Sequence, residues 1–61
     1  MKNTYIIKDT KNNLVFNEEF TIFAVKFPSE YTNKKIAIQK LQFAKRFIIS
    51  EDASLVVLKI R

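Results

Sequence analysis

The stretch Ser29–Ile49, SEYTNKKIAIQKLQFAKRFII, is the one segment of the chain long and periodic enough to fix its own secondary structure. Ala37, Leu41, Ala44 and Ile48 recur at the spacing of a single helix face. Ile36, Phe43 and Phe47 widen that apolar line on one side, and Ile38 lies on the other. Lys35, Gln39, Gln42 and Arg46 repeat the same spacing on the opposite, polar side. A polar stripe that holds its register this long predicts one amphipathic helix running past residue 44. Pro28 disfavours helix at the residue before it, and Ser29 is a competent N-cap. Glu30 then faces the positive end of the helix dipole and stands four residues before Lys34, the better order for an ion pair. A second reading ends the helix near Phe43 and pairs 46–50 with the last strand as a hairpin.

Everything outside this segment reads as sheet. Thr4–Lys8 is β-branched and aromatic, 9–13 is a polar, turn-rich break, and Leu14–Phe16 resumes the apolar character. The two runs predict a hairpin whose loop is longer than two residues. Glycine is absent, so Asn12 or Asn13 is expected to take the left-handed conformation there. In Phe20–Phe27 two templates compete. Phe16, Phe20, Phe23 and Phe27 fall at helical spacing, with Asn17 as a cap. Against that, Thr21, Ile22, Phe23, Val25 and Phe27 are strand formers, with apolar side chains on both parities, which favours a strand buried on both faces. Leu55–Ile60 is apolar on both parities too and is expected to be a central strand. The expectation is a single small domain over residues 1–61, an α+β fold of order β-β-β-α-β with its helix on one face of a mainly antiparallel sheet.

That layout leaves a surplus of apolar surface. One helix covers one face of a four-stranded sheet, while the strands at 20–27 and 55–60 are apolar on both. Soluble monomers rarely expose a contiguous patch of this kind. A chain of 61 residues is also short of core, and without cysteine or histidine it has neither disulfides nor the commonest zinc ligands to help. A homo-oligomer, a dimer or higher, or a partner protein is the expected cover.

The same absences bear on chemistry. The commonest general base and the strongest nucleophile are missing, and without glycine no phosphate-cradling loop can form. Asp9, Glu18, Glu19, Glu30, Glu51 and Asp52 fall in expected turns or at the helix start, as solvated acids do. The chain is therefore read as non-enzymatic, with no metal and no cofactor.

A net charge of +5 favours anionic partners. The candidate anion or nucleic-acid residues are Lys34, Lys35, Gln39, Lys40, Gln42, Lys45 and Arg46. Lys, Gln and Arg are the side chains that contact phosphates and base edges from a helix in the major groove. A lysine-rich solvated helix face has the same composition, and the six phenylalanines are explained as core before stacking platforms. No run is long enough for a membrane span or a signal peptide, which gives the expectation of a cytoplasmic protein without a membrane partner. Phe, Tyr, Met, Ile, Asn and Lys, the residues of AT-rich codons, make up half of the chain and point to a phage or mobile element, hence a host cytoplasm. The functional expectation is a stoichiometric inhibitor that occupies a host macromolecule or sequesters an anionic ligand. The alternative is a nucleic-acid-binding regulator using the helix 29–49.

Overall fold

The first two strands pair as the alternation requires. β1 (Tyr5–Asp9) runs antiparallel to β2 (Leu14–Asn17), with Lys8 opposite Val15 and Asp9 opposite Leu14. Asn13 closes the hairpin at φ 56°, in the left-handed region where a glycine would otherwise sit. The computed structural model describes residues 3–48 and 52–61. Within them β3 (Ile22–Ala24), α1 (Lys34–Ala44) and β4 (Leu55–Lys59) complete the expected β-β-β-α-β order. The four strands form one antiparallel sheet in the order β3-β2-β1-β4.

The hairpin is clamped by Asp9. One carboxylate oxygen accepts from the Lys11, Asn12 and Ser54 N–H groups at 3.0, 3.3 and 3.1 Å, and the other accepts from the Asn12 amide at 2.7 Å. A single buried side chain thus shapes the β1–β2 turn and holds the entry to β4. These hydrogen bonds, the Asn12 amide first, hold the Asp9 carboxyl below its ordinary range against the opposing effect of burial.

Three expectations about the elements are corrected. The helix starts at Lys34, with Asn33 rather than Ser29 as its cap: Asn33 Oδ1 accepts from the Lys35 and Ile36 N–H groups at 2.8 and 3.4 Å. The reason lies upstream, where Tyr5 and Tyr31 exchange backbone hydrogen bonds of 2.7 and 2.8 Å. Residue 31 is thereby held extended, so no helix can pass through it. Ser29 serves the sheet instead, its N–H donating to the Phe16 carbonyl and its hydroxyl accepting from the Glu18 N–H. Glu30 consequently lies outside the first turn, which carries no acid. The α-helix ends at Ala44 and tightens into a 3-10 turn, Lys45–Phe47. Arg46 and Phe47 are therefore not part of a hairpin strand; Ile49 and Ser50, the remainder of both readings, and Glu51 lie outside the described residues.

The second correction concerns 20–27. Strand wins over helix, but only for three residues, and it is an edge strand rather than one buried on both faces. Thr21, at φ 51°, stands immediately before it, and Phe27, at φ 64°, lies three residues past its end. Asn17 holds both ends of the excursion. Its Oδ1 accepts from the Phe20 N–H at 3.0 Å and its Nδ2 donates to the Phe27 carbonyl at 2.9 Å. The third correction is β4, which pairs with β1 alone and is the opposite edge, not a central strand.

The core follows from the register. Phe16 and Ile7 are fully buried with Ala44 of the helix, and Phe23, Tyr31, Leu41, Phe43, Phe47, Leu55 and Val57 pack around them. Phe16 is the centre, its ring 5.2 Å from that of Phe23 and 6.1 Å from those of Phe43 and Phe47. Burial of one such side chain contributes about 3 kcal/mol, a large share of what a chain this short can have.

Candidate binding surface

Pleat alternation divides the sheet into two faces. Ile7, Phe16, Phe23, Leu55 and Val57 belong to the core and so define the helix side. Ile6, Lys8, Val15, Asn17, Ile22, Ala24, Val56 and Leu58 have the other parity and lie on the opposite side. The register sets them in rows: Ala24, Val15, Lys8 and Val56 lie across the sheet, and Ile6 stands beside Leu58. α1 lies against β1 and β4 from the helix side, while Ile6, at one end of these rows, is itself buried at 7% exposure. Ile22 and Leu58 are exposed; Val15, Ala24 and Val56 are half-buried. In the segments flanking β3, Phe20 is 65% and Phe27 77% exposed, and Val25 is exposed as well.

One cation sits in this face. Lys8 lies between Val15 and Val56, so a positive charge stands among apolar side chains on a face whose other polar strand residue is Asn17. Sequence inspection missed it, because in TYIIK the lysine reads as the end of a strand. The register, and not the composition, places it among the valines.

The helix residues singled out from the sequence divide into two groups. Lys34, Lys35, Gln39 and Gln42 are exposed along α1, and Lys45 and Arg46 are exposed in the 3-10 turn that follows. Lys40 is different: its ammonium lies 3.1 Å from Glu18 Oε1 and 5.7 Å from the centre of the Phe43 ring. It ties the helix to the β2–β3 turn and is half-buried. Tyr31 donates to the same Glu18 oxygen at 3.2 Å. Burial, with the Glu18 charge and hydrogen bond adding to it, pushes the Tyr31 phenol up to about 12. This Tyr31–Glu18–Lys40 cluster is structural, joining loop, sheet and helix.

Among the described residues no group of three or more acids comes together to hold a metal ion, and no helix is long and apolar enough to cross a membrane. Compared with known proteins, no family model matches the chain, and no curated protein or solved structure matches it.

Proposed function

We propose that this is a stoichiometric binding protein whose working surface is the uncovered sheet face, and that its partner is a protein presenting an apolar patch with a carboxylate placed to meet Lys8. The observation that carries the reading is the row Ala24–Val15–Lys8–Val56, an apolar surface with one cation at its middle. Apolar side chains supply area, and a charge in their midst selects the partner: a neutral surface would leave the Lys8 ammonium desolvated and unpaired. Occupying a host macromolecule in this way is how an inhibitor encoded by a phage or mobile element would act, and it requires no chemistry of its own. The exposed phenylalanines beside β3 enlarge the contact, in keeping with the enrichment of aromatic side chains at interfaces.

The test is to isolate tagged protein from the cells in which it acts and to measure the native mass of what comes with it. Two double variants run in parallel: Lys8→Glu with Leu58→Glu on the sheet face, and Lys35→Glu with Arg46→Glu on the helix. The sheet-face pair is expected to lose the partner, with affinity down by at least about tenfold, while the helix pair keeps it. Retention by the sheet-face variant sinks the reading.

A second reading has its own observation. Lys34, Lys35, Lys45 and Arg46 are exposed around the helix, and the ion pair that the helix makes uses Lys40 instead. If this surface binds nucleic acid, affinity falls steeply with salt as counterions are released, and the helix pair abolishes it. Binding that is flat between low and moderate salt rules it out.

A further inference from the structure

The outer edge of β4 is open and self-complementary. The Ile60 N–H donates to the Thr4 carbonyl, and the Thr10 N–H donates to the Ser54 carbonyl. Even-numbered positions of this strand therefore direct their backbone groups towards β1. By the alternation of an antiparallel pair, Leu55, Val57 and Lys59 direct theirs outward. Among the described residues nothing pairs with them. An unpaired edge of this length, apolar on both sides, is a template for another strand. The opposite edge is not comparable, because β3 has only three residues and starts directly after the positive-φ Thr21.

We propose that β4 pairs antiparallel with β4 of a second copy of this chain, about a twofold axis through Val57, giving one continuous eight-stranded sheet. The register follows from the valences. Centred on Val57, Leu55 of one copy faces Lys59 of the other, Val57 faces Val57, and every outward N–H and C=O of the strand finds a partner. A shift by two residues either way leaves one of the three positions without a strand residue opposite it. A shift that centres the axis on Lys59 sets lysine against lysine, which is unfavourable directly across a ladder. In the Val57 register Lys59 meets leucine, and on the uncovered face Val56 stands opposite Leu58 of the second copy. The two bare faces become one.

The helix side accommodates this. α1 lies over β1 and β4. With strands about 4.8 Å apart, two such helices stand about 10 Å apart across the axis, close to the usual spacing of about 8–10 Å for packed helices. Phe43 and Phe47 lean on Phe16 of β2, so the opposite flank of α1 points to the β4 edge. That flank carries Ile38, an isoleucine 45% exposed, which the second copy would cover. It also carries Lys34, and Lys45 follows in the 3-10 turn; repulsion between these lysines of the two copies makes added salt tighten the dimer.

Sedimentation of the purified full chain tests the pairing, with Lys59→Pro as the disrupting variant. The Lys59 N–H points outward, so proline there removes no bond within the protomer but blocks the ladder. The expected result is twice the 7.2 kDa chain mass for the wild type, tighter as salt rises, and association weaker by at least about tenfold for Lys59→Pro with an unchanged circular dichroism spectrum. The chain has no cysteine, so Val57→Cys gives a second reading that does not depend on proline. On the axis its Cα lies about 5.5 Å from its mate, within disulfide reach, whereas Leu55→Cys does not face itself and should not cross-link. A monomer across the salt series, or cross-linking at residue 55 in preference to 57, overturns the proposal. So does a single foreign strand bound to this edge in place of a second copy. A monomer that still holds a partner on its sheet face overturns the pairing alone; a β4-paired dimer whose sheet face binds nothing overturns the proposed function alone.

Discussion

Phe16, Phe20, Phe23 and Phe27 share one spacing in the sequence but not one fate in the fold, and their alanine variants should separate accordingly. Phe16 is fully buried and touches three other rings, whereas Phe20 and Phe27 are exposed beside an edge strand. Truncating a buried phenylalanine costs about 3–5 kcal/mol. A domain of this length has about 3–9 kcal/mol in total, so Phe16→Ala should lose a large part of its stability. Phe16→Leu is the more informative variant because it keeps most of the apolar bulk. Its loss is mainly the three aromatic contacts and a smaller void, about 2 kcal/mol together. With a urea dependence of about 1 kcal/mol per molar for a small domain, that moves the midpoint down by about 2 M. Phe20→Ala and Phe27→Ala remove side chains already in water and should stay within about 0.5 kcal/mol of the wild type. Urea titration followed by far-ultraviolet circular dichroism reads all four. Equal losses at Phe16, Phe20 and Phe27 would mean that these residues line one helical stripe and would refute the strand register.

The remaining predictions concern the clamps and the strained loop. Asn33→Ala removes the helix cap and should cost about 1 kcal/mol, while Asn33→Asp should cost little; thermal unfolding of the two variants decides it. Asp9 has a folded pKa lowered from 3.8, so its contribution is complete above that pH and is lost as the pH falls from there through the folded value. Acid unfolding of the wild type against Asp9→Asn should show this loss in the wild type alone. Tyr31, raised to about 12, stabilises the fold below pH 10, and that stability is lost as the pH rises through 12; Tyr31→Phe should remove a late step from the tyrosinate absorbance titration. Phe27 stands exposed at φ 64°, so Phe27→Gly should raise the melting temperature by relieving about 1 kcal/mol of strain while weakening partner binding.

The order of elements was legible because the signals that set it are local. The helix periodicity, the β-branched runs and the asparagine turn each need only neighbours in sequence. What could not be read was decided by contacts distant along the chain. The helix start moved from Ser29 to Asn33 because Tyr31 is held by Tyr5, and Ser29 was taken up by Phe16 and Glu18. Leu55–Lys59, apolar on both parities, looked central and proved to be an edge: such a pattern records that both faces are apolar, not that both are covered. Of the helix residues proposed for binding, all but Lys40 are exposed, and Lys40 is diverted by an acid that only the β2–β3 turn brings near. Lys8 was invisible as a site because its valine neighbours come from two other strands.

The most direct test of the uncovered sheet face as the working surface is hydrogen exchange on protein isolated with its partner, compared with the protein alone. Binding there predicts slowed exchange at Val15–Asn17, Ile22–Ala24 and the segments beside β3, with the helix amides unchanged, and loss of that protection in Lys8→Glu with Leu58→Glu. Protection confined to α1 and the 3-10 turn, with the sheet exchanging as in the free protein, would contradict it.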